Sequence, residues 1–191
     1  YPICGDGIVT SAEACDDNNT VAGDGCTPST GAITLDSTGD VGNYTSIAIR
    51  NDGTPIISYY DSTNGDLKVY SCANAACTSG TRRVLDSIGD VGRYTSIAVR
   101  NDSAPIISYV DSTNGDLKVY SCANANCTSG TLLVTGVVGS HSSIAIRNDG
   151  TPVVSYHDNS NSDLEMSACT ASECSSSMLD GTHNVGWFTS I

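Results

Sequence analysis

Residues 44–81 and 94–131 are the same at 33 of 38 positions on a 50-residue offset, the exceptions being Ile49/Val99, Gly53/Ser103, Thr54/Ala104, Tyr60/Val110 and Ala76/Asn126. A looser third copy follows from His141, and a further copy begins at Thr189-Ser190-Ile191. Self-similarity at a fixed period of about 45–50 residues marks a propeller or a solenoid array. One such unit cannot bury its apolar faces without a neighbour, so each repeat is mostly scaffold and function has to be sought on the array's surface and at its ends.

Within a repeat the strand signals come in fours. Ser46-Ile47-Ala48-Ile49-Arg50 alternates, Asn51-Asp52-Gly53 supplies a turn that tolerates positive φ, and Pro55 to Tyr60 resumes as a second strand. Asp61 to Asp66, with Asn64-Gly65 inside it, is the next hairpin turn; Leu67 to Cys72 alternates again, and Arg82-Arg83-Val84-Leu85-Asp86 makes a fourth strand. Four antiparallel strands and a Gly-rich link are the plan of a propeller blade. No stretch has the 3.6-residue periodicity of a helix. The predicted fold is therefore all-β: tandem four-stranded antiparallel blades in a propeller-like or open array, at about 44–86, 94–136 and 141–180. Partial strands are expected at 32–36, which aligns with Val84-Leu85-Asp86, and at 189–191. Residues 31–191 form this array, and residues 1–30 form a separate cysteine-rich, Asp/Asn/Gly-rich module. Propellers close with about four to eight blades, so three blades leave edges that another strand can join.

The net charge of −13, with only eight Lys and Arg, excludes nucleic acid as a partner and disfavours anionic membrane surfaces. No apolar run approaches the roughly 18 residues of a membrane span. Nine cysteines in 191 residues, six of them in a repeated C-x4-C spacing, point to an oxidising compartment and hence to a secreted or surface-displayed chain. With no initiator Met or signal peptide, it reads as a processed form or a segment of something longer. The pairs Cys72/Cys77, Cys122/Cys127 and Cys169/Cys174 occupy the same loop of each blade and suit disulfides better than zinc, which needs about four converging ligands. If Cys4 pairs with Cys15, Cys26 is left over for a bond between chains.

Cys4-Gly5-Asp6-Gly7, Glu13-Ala14-Cys15-Asp16-Asp17-Asn18-Asn19 and Gly23-Asp24-Gly25-Cys26 together resemble the myxococcal-type cysteine-rich repeat of large secreted and surface proteins. That family carries a further Cys four residues beyond the position of Cys26, where this chain has Thr30. The resemblance implies an extracellular module and leaves Cys26 as the candidate for an intermolecular bond. Asp6, Asp16, Asp17, Asn18 and Asp24 are candidate oxygen ligands for Ca2+, the one cofactor the sequence suggests, although their spacing is not that of an EF-hand. The motifs Ser-Ile-Ala-Ile, Pro-Ile-Ile-Ser-Tyr-Tyr-Asp and Gly-Asp-Leu-Lys-Val-Tyr are similar to propeller-type repeats of secreted bacterial surface proteins.

Arg50, Arg100 and Arg147 recur at the end of the first strand, each followed by Asn-Asp. A guanidinium fork suits a carboxylate, and the set is similar to the arginine triad of sialidase-type propellers, but the Asp-box of those enzymes is missing. Tyr59, Tyr109 and Tyr156 are candidates for lining a sugar site, with strand packing as the plainer use. His141, His157 and His183 form no evident catalytic or metal cluster. The reading drawn from this is a non-catalytic extracellular structural or adhesive protein that associates with itself into a surface assembly or filament. The alternative is a glycan-binding, lectin-like propeller, and a sialidase-like glycosidase fragment ranks below both.

Overall fold

The computed structural model describes residues 33–170, 173–182 and 184–191. The chain divides into two compact units, Tyr1–Thr34 and Leu35–Ile191. Cys4, Cys15, Cys26 and the candidate calcium ligands Asp6, Asp16, Asp17, Asn18 and Asp24 lie outside the described residues.

The second unit is all-β. Its strands are β1 Val41–Ile49, β2 Pro55–Asp61, β3 Asp66–Cys72, β4 Gly80–Asp86, β5 Val91–Val99, β6 Pro105–Asp111, β7 Asp116–Cys122, β8 Gly130–Ile146, β9 Pro152–Asp158, β10 Asp163–Cys169 and β11 Cys174–Asp180. Each pairs antiparallel with its sequence neighbour, giving a four-stranded sheet β1-β2-β3-β4 and a seven-stranded sheet running from β5 to β11. The second sheet is two blades fused through β8, whose first half pairs with β7 and whose second half pairs with β9. The sequence predicts separate strands here. The third copy, however, starts 47 residues after the second rather than 50, and the shortened link runs straight through as strand.

Turn chemistry fixes the hairpins. In the β2–β3 turn, Asp61 Oδ1 accepts the backbone N–H groups of Thr63 (3.0 Å) and Asn64 (3.1 Å), while Oδ2 accepts the Asn64 amide (2.8 Å) and pairs with Lys68. Asp111 repeats the arrangement with Thr113, Asn114 and Lys118. At the other end of each blade, Cys72–Cys77, Cys122–Cys127 and Cys169–Cys174 form disulfides that clamp the third strand to the fourth.

Apolar side chains fill the junctions between blades. Ile56, Leu67 and Val69 of blade 1 pack with Ile97, Ile107 and Tyr109 of blade 2, and Ile106, Leu117 and Val119 pack in turn with Ile144, Val154 and Tyr156 of blade 3. The inner strands also touch: Ser46 Oγ accepts the Ile97 N–H (3.2 Å), Ser96 Oγ that of Ile144 (3.1 Å) and Ser143 Oγ that of Ile191 (3.2 Å). On blade 1, which has no blade before it among the described residues, the equivalent side chain is bare: Ile47 is 60% exposed, against 6% for Ile97 and 5% for Ile144. The expected strand at 32–36 is not one over its described residues, nor is 189–191. Asp36 nevertheless accepts the Tyr59 hydroxyl (2.8 Å) as Asp86 accepts that of Tyr109 (2.7 Å), so the segment stands in for a neighbour's outer strand without pairing as one.

Candidate ligand groove on the inner strands

Each inner strand carries an irregularity at one place. Register slips between Asn43 and Ser46, between Arg93 and Ser96, and between Ser140 and Ser143. The residue freed by each slip is Tyr44 (φ 52), Tyr94 (φ 53) and His141 (φ 51), and Phe188 (φ 55) holds the same place beyond blade 3. Left-handed backbone is costly for bulky side chains, and bulges re-aim side chains near functional surfaces. Here three bulges and the turn at Phe188 bring four rings into one row. Tyr44 and Tyr94 have centroids 4.5 Å apart, Tyr94 and His141 4.3 Å, and His141 and Phe188 4.6 Å. Trp187 flanks the row, 4.9 Å from His141 and 4.5 Å from His157.

The next residue along, Thr45, Thr95, Ser142 or Thr189, joins the rings in lining a groove of about 340 Å³. Two of these hydroxyls bridge to the preceding blade: Thr95 bonds Ser58, and Ser142 bonds Ser108 (2.9 Å). Thr189 donates to the carbonyls of His141 (2.8 Å) and Ser155 (3.2 Å). Three of the four rings thus have an anchored hydroxyl residue beside them, which preorganises the row. Burial and the charge of His157 hold the His141 imidazole below its usual pKa, which favours a neutral ring in the row. Burial, together with the Tyr44 hydroxyl, pushes the Tyr94 phenol up.

The residues singled out in the sequence lie elsewhere. Arg50 donates to Thr54 Oγ1 (2.5 Å), to the Cys72 carbonyl (3.2 Å) and to Ser71 Oγ; Arg100 donates to Ser121 Oγ and to the Cys122 carbonyl, both 2.6 Å. Arg50 and Arg100 line two separate pockets and do not converge on a common ligand position, while Arg147 is exposed beside Asp149. Tyr59, Tyr109 and Tyr156 are buried in the blades, with hydroxyls donating to Asp36, Asp86 and Glu165. Burial comes first among the causes raising all three phenols, and Tyr156 is pushed up to about 12. Among the described residues no group of three or more His, Cys, Asp or Glu side chains is placed to hold a metal ion. The ring positions are readable in the sequence as the aromatic residue preceding Thr-Ser-Ile or Ser-Ser-Ile, but nothing in the spacing announces that they face one groove.

Solved structures share this arrangement of blades. An exo-β-1,3-galactanase from Phanerochaete chrysosporium, crystallised with galactose, superposes with a TM-score of 0.50 at 15% identity, over 68% of this chain and 35% of the galactanase. A GH43 β-1,3-galactosidase superposes with a TM-score of 0.50 at 7% identity, over 70% of this chain and 31% of the other. The fold is that of a β-propeller. The chain spans about a third of the length of these structures. They correct one expectation: the sequence was read as that of a chain with no enzymatic character, whereas the structures sharing its fold are glycoside hydrolases. A family model described as a domain of unknown function (DUF4215) matches residues 1–28, where the resemblance to the myxococcal-type repeat falls; the match carries no myxococcal assignment. No curated protein matches the chain. The disulfides fit an oxidising, extracellular setting, and no helix among the described residues is long and apolar enough to cross a membrane.

Proposed function

We propose that the chain is a glycan-recognition propeller whose inner-strand groove stacks a sugar chain on Tyr44, Tyr94, His141 and Phe188. The observation that carries this reading is the row itself: four rings at equivalent positions, 4.3–4.6 Å apart, held in left-handed backbone above a line of hydroxyl groups. Aromatic faces offer apolar surface to the C–H faces of sugars, and neighbouring hydroxyls fix orientation. The groove's lining is aromatic and hydroxylic, which suits the faces and hydroxyls of sugars. The galactan and galactoside chemistry of the matched structures makes β-1,3-linked galacto-oligosaccharides the first probe. Titration calorimetry is expected to show binding that Tyr94→Ala weakens at least tenfold, with sugar release followed in the same samples. Binding unchanged by Tyr94→Ala refutes the assignment.

A specific feature also favours self-association. Gly42, Thr45 and Ile47 repeat the spacing of Gly186, Thr189 and Ile191. The second set lies on blade 3, where a Cβ on Gly186 would come within 3.0 Å of Leu164 Cα and the Ile191 N–H reaches Ser143. A Cβ on Gly42 would meet nothing within 4 Å. In this reading β1 of a second copy takes the place of 186–191 on blade 3, a head-to-tail exchange that does not close on itself. Light scattering that shows a concentration-dependent mass, abolished by Ile47→Asp, supports it; a constant monomer mass sinks it.

A further inference from the structure

Blades 1 and 2 are nearly identical until their fourth strands, where Arg82-Arg83 stands against Leu132-Leu133. Arg83 pairs with Val69 in the sheet as Leu133 pairs with Val119, so the two occupy one structural position. Leu133 is 6% exposed and belongs to the core between blades 2 and 3. In blade 1 the same place holds a guanidinium and a pocket of about 340 Å³, lined by Arg50, Arg83, Thr54, Ser71, Asp52 and, from blade 2, Asn126. Arg83 forms no hydrogen bond or ion pair with any described residue, and its Nε is buried without a partner. The second guanidinium in the pocket, Arg50, is 5% exposed and has a buried Nε that is likewise unpaired. Burial comes first in lowering the Arg50 pKa, with Asp52 acting against it. A buried guanidinium nitrogen left without an acceptor is costly, and the scaffold does not need one where leucine packs in blade 2. Two arginines against one aspartate leave the pocket one positive charge in excess.

We propose that this blade 1 pocket is an oxyanion site, in which Arg50 and Arg83 take a singly charged carboxylate, either as a free small acid or as the carboxyl group of an acidic sugar. Guanidinium forks match carboxylates through paired N–H donors; the Thr54 and Ser71 hydroxyls accept from Arg50 and donate to Asp52 and Asn126, which holds the Arg50 guanidinium in place, and the Asn126 amide lines the same pocket. The site is separate from the aromatic row: Arg50 lies beyond the end of β1, six residues and about 20 Å of extended chain from Tyr44. It does not depend on that groove binding glycan.

The test uses the whole chain with sodium acetate, methyl glucuronide and, at matched ionic strength, sodium chloride. The arginine Nε–H resonances are followed by NMR and the melting temperature by calorimetry. Either carboxylate, at about 100 times its dissociation constant, is expected to shift the resonances of Arg50 and Arg83 and to raise the melting temperature by roughly 5–10 °C, while chloride does neither. Response to both acids identifies the carboxylate alone as the recognised group; response to the glucuronide only identifies the acidic sugar. Arg83→Leu, which installs the residue that blade 2 packs, is expected to abolish both responses and to melt higher than the unliganded parent. Arg83→Lys, which keeps the charge but loses the fork, is expected to weaken binding at least tenfold. Absence of a response to both acids, or carboxylate binding retained in Arg83→Leu, overturns the proposal.

Discussion

Tyr109→Phe isolates one contact at the junction of blades 1 and 2. The Tyr109 ring is fully buried and its hydroxyl donates to Asp86 at 2.7 Å. The Asp86 side chain is 5% exposed; its Oδ1 accepts the Ile88 N–H (3.1 Å), and Lys118, 3.4 Å from Oδ2, is already committed to Asp111 at 2.7 Å. Removing the hydroxyl therefore leaves Asp86 Oδ2 with only the longer Lys118 contact while leaving ring packing intact. A hydrogen bond to a charged group contributes about 1.5–3 kcal/mol, which for a unit of this size lowers the melting temperature by about 3–12 °C. Tyr59→Phe is an internal comparison. Its acceptor is Asp36 Oδ2, on a side chain 6% exposed, and the remaining bonds from Arg82 (2.6 Å) and the Thr38 N–H (3.1 Å) both go to Oδ1, so a comparable cost is expected. Urea titrations of both variants, together with the cycle Tyr109→Phe/Lys118→Met, measure the contact and its coupling to the lysine. If Tyr109→Phe changes stability by under about 0.5 kcal/mol, the junction is not held as described.

Further outcomes follow from the same geometry. Burial pushes the Asp36 carboxyl up, but bonds from Thr38, Tyr59 and Arg82 outweigh it and hold the group at about 2, below its ordinary 3.8. The stability from this depressed carboxylate is complete above about pH 4 and lost as pH falls through 2; melts across that range should fall less steeply for Asp36→Asn, and equal slopes contradict the assignment. A Cβ on Gly92 (φ +106) would lie 2.8 Å from Leu67 Cα, whereas one on Gly42 (φ +90) meets nothing. Both Gly→Ala changes carry the strain of left-handed backbone, but Gly92→Ala should cost about 1–3 kcal/mol more by chemical denaturation, and equal costs argue against the close approach of the blades. Cys72→Ser/Cys77→Ser opens a short loop and should cost roughly 2 kcal/mol, read from the urea midpoint. A neutral cost shows that the clamp adds nothing to the hairpin.

Much of the fold is legible in the sequence because its signals are local. Alternation in Ser46–Arg50, the Asn64-Gly65 turn and the C-x4-C loops each act within a few residues, and the repeat multiplies them. What is not legible depends on contacts between blades. The merger of two predicted strands into β8 depends on a link three residues shorter than its counterpart. Arg50, Arg100 and Arg147 look like a convergent set because they recur, yet recurrence in a propeller places residues in successive blades, and the first two support their own disulfide loops. The aromatic row escapes for the converse reason: its members differ as Tyr, Tyr, His and Phe, and only the left-handed backbone they share turns them toward one another. Arg83 is visible as a departure from Leu133, but its meaning requires knowing that Leu133 is core.

The most direct measurement is a calorimetric titration of the chain with β-1,3-linked galacto-oligosaccharides of increasing length, beside the same titration of Tyr94→Ala. Affinity that rises with the number of sugar units up to about the four rings of the row, and falls at least tenfold in the variant, is the predicted result. Absence of binding at any length, or binding indifferent to Tyr94, contradicts the assignment of the groove.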